Sequence, residues 1–415
     1  MDVSRYIANR AITSFSKSFT RRIIQISVGA ISLSLAVMLI AQSVFKGFQD
    51  DISEKIFGFW GHIHITDINV NRSIEPIPII VSPYLLDSIQ NLTGYSKNVD
   101  NKVSHVQGFV ILPGIISMQG QYDGLFFKGV NKDFRASFFE RFLVRGTPIQ
   151  YESTDISRDL LLSHQTANRL KVDTGQSVIA NFVIEGQHIK RKLNIRGIYK
   201  TGLEEYDRIF CLVDQRLLQQ VLSWDSNQIT GLEVFVENVN KVEEVNEVLY
   251  NDILPTRFYA ESIRSKFPNI FEWLSLQDIN KQFILSLVLA VCIINMATTL
   301  LILILERIHL IGILISLGMN FRSIRRIFLQ FGVYILLRGM VIGNVVGLSI
   351  CLIQKYFKPI KLSEADYYLD HAPVSLNIWP IIIINMIFFV VVLGFLILPS
   401  YFIKKIKPIQ ALRFN

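Results

Sequence analysis

Four long stretches that are almost free of charged residues constrain this chain more than any other feature. At 1.5 Å of rise per helical residue, each stretch is long enough to cross a hydrocarbon layer of about 30 Å. They predict four transmembrane helices. The first has no cleavage pattern at its outer end, so it is expected to remain as an anchor. The predicted spans are residues 23–45, 282–305, 327–354 and 378–403.

The short segments that flank these spans carry much of the positive charge. Residues 1–22, 306–326 and 404–415 together contain thirteen Lys and Arg residues but only two acidic residues. Because cytoplasmic loops are enriched in Lys and Arg, these segments and both termini are predicted to be cytoplasmic, with residues 1–22 forming a basic amphipathic segment. Residues 46–281 and the loop of residues 355–377 then lie on the opposite side of the membrane.

The segment of residues 46–281 is larger than a typical single domain and has mixed secondary-structure signals. Stretches such as "HIHITDI" and "TGLEVFVEN" are typical of strands, whereas "DQRLLQQVL" and "VEEVNEVLYNDI" have helical spacing. The turn "IEGQ" at residues 184–187 predicts a hairpin. The predicted fold class is an α-helical membrane protein with four transmembrane helices and a large mixed α+β domain, built as two lobes, between helices 1 and 2.

The distribution of charge argues against a nucleic-acid partner. The whole chain has a formal net charge of +8, but residues 46–275 contain 24 basic and 28 acidic residues. The excess positive charge therefore belongs to the cytoplasmic segments, where it sets the topology and can contact anionic lipid head groups. The cysteines have neither zinc-site spacing nor a disulfide framework. They are Cys211, Cys292 and Cys351.

Motifs for catalysis are missing from the sequence. There is no G-x-x-x-x-G-K-[ST] phosphate loop, no H-E-x-x-H zinc motif and no G-x-S-x-G nucleophile motif. The chain is therefore not expected to be an enzyme or to hydrolyse ATP by itself. His62 and His64 would share one face of a strand, but no third metal ligand is apparent, so a polar strand is favoured over a metal site. The acidic pairs at 204–205 and 243–244 are interpreted as solvated surface.

Polar and small residues within the spans indicate where helices meet. Asn295 lies in the middle of the second span, where an unpaired amide is costly, and is expected to face another helix. Arg338, near the middle of the third span, is either a functional charge facing protein or water, or a residue that pairs with a carbonyl or precedes a late helix start. Glycines of the third span leave a flat stripe for packing within the chain or between subunits. They are Gly332, Gly339, Gly343 and Gly347.

The segment "ERIHLIGILISLGMNFRSIRRIF", residues 306–328, separates the second and third spans. Four of its apolar residues follow the i, i+3, i+4, i+7 spacing of an amphipathic helix. Gly318 is a natural stop and Asn320 can cap the next helix. Since His309 is the only basic residue between Ile308 and Gly318, a groove on a partner protein is favoured over a lipid surface. The four apolar residues are Leu310, Ile313, Leu314 and Leu317.

Several stretches in the same order resemble one family over nearly the whole chain. The chain resembles the permease subunits of lipoprotein-releasing ABC transporters, the LolC/LolE family, within the broader MacB/FtsX-like permease group. The stretches that carry the resemblance are "SVFKGFQDDISEKIFGFWGHIHI", "LFFKGV", "LKVDTGQSV", "NIRGIYKTGLEEYD", "INMATTLLILILERIHLIGILISLGM", "IFLQFG", "ADYYLDHAPV" and "PIQALR".

The resemblance implies a mechanism and a set of partners. Two such permeases, identical or paralogous, bind a cytoplasmic ABC ATPase dimer that carries the ATP and Mg²⁺, so this chain itself binds no cofactor. Closure of the ATPase is passed mechanically through stiff helices to the periplasmic domain. An acylated lipoprotein enters from the outer leaflet of the inner membrane of a Gram-negative cell and is handed to a LolA-like periplasmic carrier.

Individual positions carry over by motif. Val44, Phe45 and Phe48 would line the place where the substrate enters. The coupling helix on the ATPase would comprise Leu310, Ile311, Gly312, Ile313, Leu314, Leu317 and Gly318.

The chain also departs from the family pattern. Leu310 replaces a carboxylate of the coupling helix, Arg338 replaces an apolar residue, and the hairpin "FVIEGQHIKRKL" lacks the proline that one family subunit uses to hook the carrier. Two alternatives remain open. One is a MacB-like permease for a peptide or toxin. The other is an FtsX-like regulator of a periplasmic cell-wall hydrolase, which predicts a much smaller outer domain.

Overall fold

The chain divides into two compact units, here called the membrane unit and the sheet unit. The membrane unit comprises Met1–Asp50, Trp273–Lys361 and His371–Asn415, and the sheet unit comprises Asp51–Glu272 and Leu362–Asp370. The computed structural model describes residues 19–70, 75–92, 102–151 and 155–401. Most of the predicted N-terminal segment and the whole predicted C-terminal tail therefore lie outside the described residues.

Helices occur in both units. In chain order they are α1 (Phe19–Trp60), α2 (Pro83–Gln90), α3 (Ala136–Arg141), α4 (His164–Leu170), α5 (Glu204–Asp207), α6 (Gln215–Leu222), α7 (Val242–Val248), α8 (Ile263–Lys266), α9 (Pro268–Glu306), α10 (Ile308–Ser316), α11 (Phe321–Phe357), α12 (Glu364–Tyr367) and α13 (Ile378–Ser400). A 3₁₀ turn at Val239–Lys241 precedes α7, and a π-helical turn at Leu249–Ile253 follows it.

Within the described residues, four helices are long and apolar enough to cross a membrane, namely α1, α9, α11 and α13. Three of them are longer than the sequence predicts. Helix α1 continues past residue 45 to Trp60, because Ile52 and Ile56, one turn apart and both fully buried, keep a helical apolar face among charged residues. Helix α9 likewise begins at Pro268 rather than at residue 282. Charged residues ended the apolar windows, but they did not end the helices.

The core of the membrane unit lies between these long helices and the short helix α10. Its buried side chains come from every one of the five helices and are almost entirely aliphatic or aromatic, with Met and Cys filling gaps. Examples are Leu35 and Leu39 of α1, Cys292 of α9, Ile311 of α10, Leu336 of α11 and Phe388 of α13.

The sheet unit is built on antiparallel and parallel strand pairs. In chain order the strands are β1 (Ile63–Asp67), β2 (Ile79–Ile80), β3 (Val103–Met118), β4 (Gln121–Val130), β5 (Leu143–Gly146), β6 (Asp159–Ser163), β7 (Ser177–Ile184), β8 (Gln187–Tyr199), β9 (Phe210–Asp214), β10 (Gln228–Ile229), β11 (Gly231–Val236) and β12 (Phe258–Ser262). Among the described residues, ten of these strands form one sheet and β2 pairs with β10.

The pairing closes part of this sheet into a ring. Strand β3 pairs with β4, followed by β9, β6, β8 and β7, and β7 pairs back with β3. The first half of β3 also pairs with β11, which continues to β1 and β12. The 16-residue β3 belongs to both parts, and residues 51–272 fall into one compact unit, so the division into two lobes stays a prediction.

Local turn chemistry explains the predicted hairpin. Strands β7 and β8 pair in register from Ile184 opposite Gln187. The two residues between them, Glu185 and Gly186, have φ values of +47° and +76°. Positive φ at both positions is the signature of a type I′ turn, which matches the twist of the strands. The hairpin at residues 184–187 therefore forms where the sequence predicts it.

Candidate functional site

Helix α10 exposes one apolar face and buries the other. Leu310, Ile313 and Leu317 are 40%, 43% and 78% exposed, whereas Ile311 is fully buried in the core of the membrane unit. Leu314 is half-buried against the same core, so it does not belong to the exposed ridge in which the sequence placed it. The exposed surface available to a partner is therefore formed by Leu310, Ile313 and Leu317, here called the coupling ridge.

The ends of this segment are fixed by backbone chemistry. Gly312 is buried within α10, and Gly318 follows the helix with φ +85°, a conformation that glycine adopts without strain. Asn320 caps α11 by accepting a hydrogen bond of 3.2 Å from the Arg322 backbone amide. The stop and the cap therefore lie where the sequence places them.

The outer part of α1 is held by the chain that precedes α13. At Gly47, an added Cβ would lie 2.8 Å from the backbone of Pro373, so only glycine allows this close approach. The Ser375 amide donates a hydrogen bond of 3.0 Å to the Ser43 carbonyl. The predicted substrate-contact residues next to this contact remain half-buried. They are Val44, Phe45 and Phe48.

The glycine stripe of α11 packs inside the chain. A Cβ at Gly343 would lie 2.8 Å from the Ser32 carbonyl oxygen, and one at Gly339 would lie 2.5 Å from Ile31. The Ser32 hydroxyl also donates a hydrogen bond of 3.0 Å to the Gly339 carbonyl. Of the two predicted uses of the stripe, the geometry corresponds to packing of α11 on α1. The other two glycines of the stripe also pack within the chain. Gly347 lies against Ala36 of α1, whereas Gly332 lies against Leu396 of α13.

The two polar residues singled out in the spans both lie on the outer surface of the membrane unit. Asn295 is exposed within the described part of the chain, and its contact with another helix stays a prediction. Arg338 is also exposed, and its Cζ lies 4.4 Å from the centroid of the Tyr334 ring, one turn earlier on α11. Stacking on an aromatic face partly compensates a guanidinium group that lies in an apolar surrounding.

Other polar pairs connect the membrane helices internally. Asn344 of α11 and Asn385 of α13 exchange two amide hydrogen bonds of 2.7 and 3.0 Å. Ser27 of α1 shares a hydrogen bond of 2.6 Å with Thr299 of α9. Such pairs satisfy polar groups that lipid cannot solvate, and each contributes about 0.6–2 kcal/mol.

A buried ionic cluster lies at the centre of the sheet unit. Lys128 and Glu233 are fully buried, with Lys128 Nζ 2.6 Å from Glu233 Oε1. Lys128 Nζ also donates a hydrogen bond of 2.6 Å to the Phe59 carbonyl, and Gln107 Nε2 donates one of 2.6 Å to Glu233 Oε2. His64 Nε2 lies 3.6 Å from Glu233 Oε1. These residues, together with Lys266, are here called the Glu233 cluster.

Aromatic rings surround the ammonium group of this cluster. Lys128 Nζ lies 4.8 to 5.9 Å from the centroids of the Trp60, Phe59, Phe134 and Phe109 rings. Water is excluded from such a site, so the attraction between Lys128 and Glu233 is weakly screened. Loss of either partner would leave an uncompensated charge in the interior.

The Glu233 cluster joins the ends of two membrane-spanning helices. Phe59 is the residue before the end of α1, and carbonyl groups at a helix C-terminus carry partial negative charge that favours a nearby cation such as Lys128. Lys266 Nζ lies 3.0 Å from His64 Nδ1, two residues before α9 begins at Pro268. Through Lys128 on one side and His64 on the other, the Glu233 carboxylate is connected to both helix ends.

Burial and neighbouring charges set the protonation states within the cluster. Burial, with the nearby Lys266 charge, lowers the pKa of His64 to about 4, so this imidazole is neutral at pH 7. Burial acts to raise the pKa of Glu233, but the Lys128 ammonium and the neighbouring His64 together outweigh burial and lower that pKa to about 2. The cluster therefore contains an ionised carboxylate beside a neutral histidine.

One interpretation of polar residues in the sheet unit, that of the two histidines, needs correction. All residues of β1 are buried, and His62 Nδ1 accepts a hydrogen bond of 2.8 Å from the Val236 amide, so the two histidines belong to the core. No group of three metal-ligating side chains occurs among the described residues. The acidic residues at 204–205 and 243–244 are exposed, as the sequence interpretation has it, and Glu243 in addition accepts a hydrogen bond of 2.6 Å from the Ser262 hydroxyl.

Comparisons with known proteins agree over the whole chain. The C-terminal domain of FtsX-like permeases matches residues 282–408. The chain is 22% identical to the lipoprotein-releasing system transmembrane protein LolC of Buchnera aphidicola, over 98% of this chain and 96% of that protein. It is 21% identical to LolE of Haemophilus influenzae, over 94% of each chain.

The chain is similar to LolC and LolE proteins over nearly its whole length. Solved structures that are similar to it include the extracellular domain of the transporter YknZ, at 13% identity and a TM-score of 0.31. That match covers 48% of this chain and 98% of that chain. The periplasmic region of MacB from Actinobacillus actinomycetemcomitans is another similar structure, at 11% identity and a TM-score of 0.33. That match covers 50% of this chain and 91% of that chain.

Sequence reasoning missed the Glu233 cluster. Lys128 and Glu233 are 105 residues apart, and each lies in a strand whose neighbours give no sign of a charged core. One local signal was present, because Lys128 interrupts the apolar strand "GLFFKGV" and Glu233 interrupts "TGLEVFVEN". A single charged residue at an inward position of a buried strand indicates a paired charge.

Proposed function

We propose that the chain is a permease subunit of an ABC transporter that releases lipoproteins from the outer leaflet of the inner membrane of a Gram-negative bacterium. The main support for this proposal is the match to LolC and LolE proteins over nearly the full length of this chain. The four helices long enough to span a membrane, α1, α9, α11 and α13, are consistent with it. The chain transmits force and does not hydrolyse ATP. ATP and Mg²⁺ bind to a separate cytoplasmic ATPase dimer.

The coupling ridge is the surface proposed for the ATPase. Leu310, Ile313 and Leu317 present apolar area outside the membrane core, and a helix with such a ridge fits a groove on a protein partner. The buried side of α10 is anchored by Ile311 in the core of the membrane unit. Movement of the ATPase would therefore reach the long helices directly.

A second permease is proposed to cover the exposed side of α9. Among exposed large apolar residues such as Phe283 and Ile294, this side also carries small and polar residues, whereas the exposed side of α13 is dominated by large apolar residues. In membranes, small and polar residues at a helix surface favour contact with another helix over contact with lipid. On this account the Asn295 amide is paired across the subunit contact, either with a second copy or with a paralogue. The residues concerned are Ser286, Ala290, Asn295 and Thr298.

The lipoprotein is proposed to enter beside the outer part of α1. Val44, Phe45 and Phe48 keep part of their apolar surface exposed next to the Gly47 contact, which suits acyl chains. Helices α1 and α9 run without interruption for 42 and 39 residues, which suits transmission of movement from the coupling ridge to the sheet unit.

A periplasmic LolA-like carrier is the remaining partner that the family suggests. The β7–β8 hairpin exposes two lysines, Lys190 and Lys192, on β8. Exposed Ile179, which lies opposite Lys192, and exposed Val183 are on β7. An acidic partner with an apolar patch would fit this surface, even without the proline hook. Recovery of such a carrier with the purified chain, after crosslinking in cells, tests this part of the proposal.

Depletion of the chain tests the proposed function in cells. We expect lipoproteins destined for the outer membrane to accumulate in the inner membrane, because the permease that extracts them is lost. Fractionation of the two membranes followed by immunoblotting measures this accumulation. Correct sorting of lipoproteins in depleted cells that fail to divide would contradict the proposal and favour an FtsX-like role.

A further inference from the structure

The loop between α11 and α13 is divided between the two units. Residues 362–370 belong to the sheet unit, while the residues on both sides belong to the membrane unit. The base of this loop is closed by a bridge between Lys361 and His371 and by a hydrogen bond of 3.0 Å from the Leu362 amide to the Asp370 carbonyl. It is a compact element, here called the 362–370 loop.

The ammonium group of Lys55 connects helix α1 to this loop. Lys55 Nζ donates a hydrogen bond of 2.7 Å to the carbonyl oxygen of Tyr368. Tyr368 ends the short helix α12 with φ +60°, which turns the chain at that point. Lys55 is half-buried and its Nζ lies 5.5 Å from the centroid of the Phe142 ring, so the bond is partly shielded from water.

A tight turn of the sheet unit surrounds this contact. The buried Asp207 carboxylate accepts hydrogen bonds from the Thr201 amide, the Thr201 hydroxyl and the Gly202 amide, at 3.0, 2.7 and 3.1 Å. Gly202 has φ +79°, and a Cβ there would lie 2.7 Å from Lys55 Nζ and 3.1 Å from the Tyr368 carbonyl oxygen. The "TGLEEYD" stretch therefore shapes a backbone surface that fits around Lys55 and Tyr368.

An ion pair also connects the 362–370 loop to the segment before the "TGLEEYD" turn. Lys200, directly before this turn, forms an ion pair with Glu364 at the start of α12. Both side chains are partly exposed. The 362–370 loop is thus fixed at its first helical residue by Lys200 and at its last turn by Lys55.

We propose that Lys55 is a positioning residue that makes the 362–370 loop follow the movement of α1 during transport. The inference rests on the proposed function, and concerns how movement is shared among the helices rather than what is transported. Helix α1 is continuous from the membrane unit to Lys55, and the loop is joined by short connections to α11 and α13. The Lys55–Tyr368 hydrogen bond connects the loop directly to α1.

The test uses the full transporter in proteoliposomes and measures lipoprotein released per ATP hydrolysed. Lys55→Met keeps the length of the side chain but removes the charged donor. We expect assembly and ATP hydrolysis to persist while release per ATP falls at least about tenfold, as loss of one hydrogen bond from a charged donor allows. Lys55→Arg keeps a donor and should recover part of the ratio. Glu54→Gln removes the neighbouring exposed Glu54–Arg141 pair and should leave the ratio unchanged.

The remaining outcomes separate this proposal from the others. A wild-type ratio in Lys55→Met overturns the role of Lys55. If Lys55→Met also lowers the melting temperature, a second variant, Glu364→Gln, is used instead. It removes the more exposed Lys200–Glu364 ion pair and so loosens the same loop. A wild-type ratio in Glu364→Gln would then overturn the proposal, and a lowered ratio would support it. Failure of the unmodified transporter to release any lipoprotein would contradict the proposed function instead.

Discussion

Placing Asp at both Ile313 and Leu317 should release the ATPase from the purified complex. The two side chains are 43% and 78% exposed on α10, so burying them against a partner removes apolar surface from water. Each such side chain contributes about 1.5–3 kcal/mol when fully buried, and a carboxylate in its place adds a desolvation cost. The combined loss lowers affinity by more than about a hundredfold. Co-purification of the ATPase with the tagged chain, measured in detergent, checks this result.

The choice of positions decides what this experiment means. Leu314 packs against the core of the membrane unit, so Asp there would disturb the bundle and the ATPase contact together. Leu317→Met, which keeps an apolar side chain of similar volume, is the matched control and should retain the ATPase. Wild-type amounts of ATPase on the Ile313→Asp, Leu317→Asp variant would show that the coupling ridge is not the docking surface.

Glu233→Gln should destabilise the sheet unit strongly. The substitution preserves shape but leaves the Lys128 ammonium buried among aromatic rings without a counter-charge. Breaking a buried ion pair by removing one partner costs about 3–5 kcal/mol. For a unit of this size, that corresponds to a fall of about 10 °C in melting temperature. Limited proteolysis of the full chain in detergent at increasing temperature measures the loss.

Two further variants give this prediction its controls. Glu237→Gln changes an exposed acid directly after the same strand and should leave the melting temperature within about 1–2 °C of wild type. The double variant Lys128→Met, Glu233→Leu replaces the pair by apolar side chains and should recover most of the lost stability. If the Glu233→Gln chain has the melting temperature of the wild type, the Lys128–Glu233 ion pair does not stabilise the sheet unit as described.

Features that depend on local chemistry could be predicted from the sequence. The apolar spans, the type I′ turn at Glu185–Gly186, the stop at Gly318 and the Asn320 cap each follow from a few neighbouring residues. Strand β3 was not predicted from the sequence, because Gly108, Pro113 and Gly114 interrupt the residue pattern typical of a strand. At Gly114 the reason is packing, since a Cβ would lie 2.8 Å from the Phe182 ring.

Features that depend on distant neighbours could not be predicted in the same way. A helical pattern showed that Leu314 is apolar, but not that the core of the membrane unit covers it. The polarity of Asn295 indicated a contact, but not that the described part of the chain leaves this residue exposed. Lys128 and Glu233 meet only because β3 lies between β4 and β11 and brings their strands together.

Photocrosslinking at Val44 and Phe48 tests the central claim most directly. A photoreactive amino acid at either position, in cells with an active transporter, should form adducts with lipoproteins, because acyl chains pass this part of α1 during extraction. The same group at Tyr356, an exposed residue near the end of α11, serves as the matched control. We predict lipoprotein adducts at Val44 and Phe48 that exceed those at Tyr356. An active transporter that forms no such adducts at either position would contradict the account.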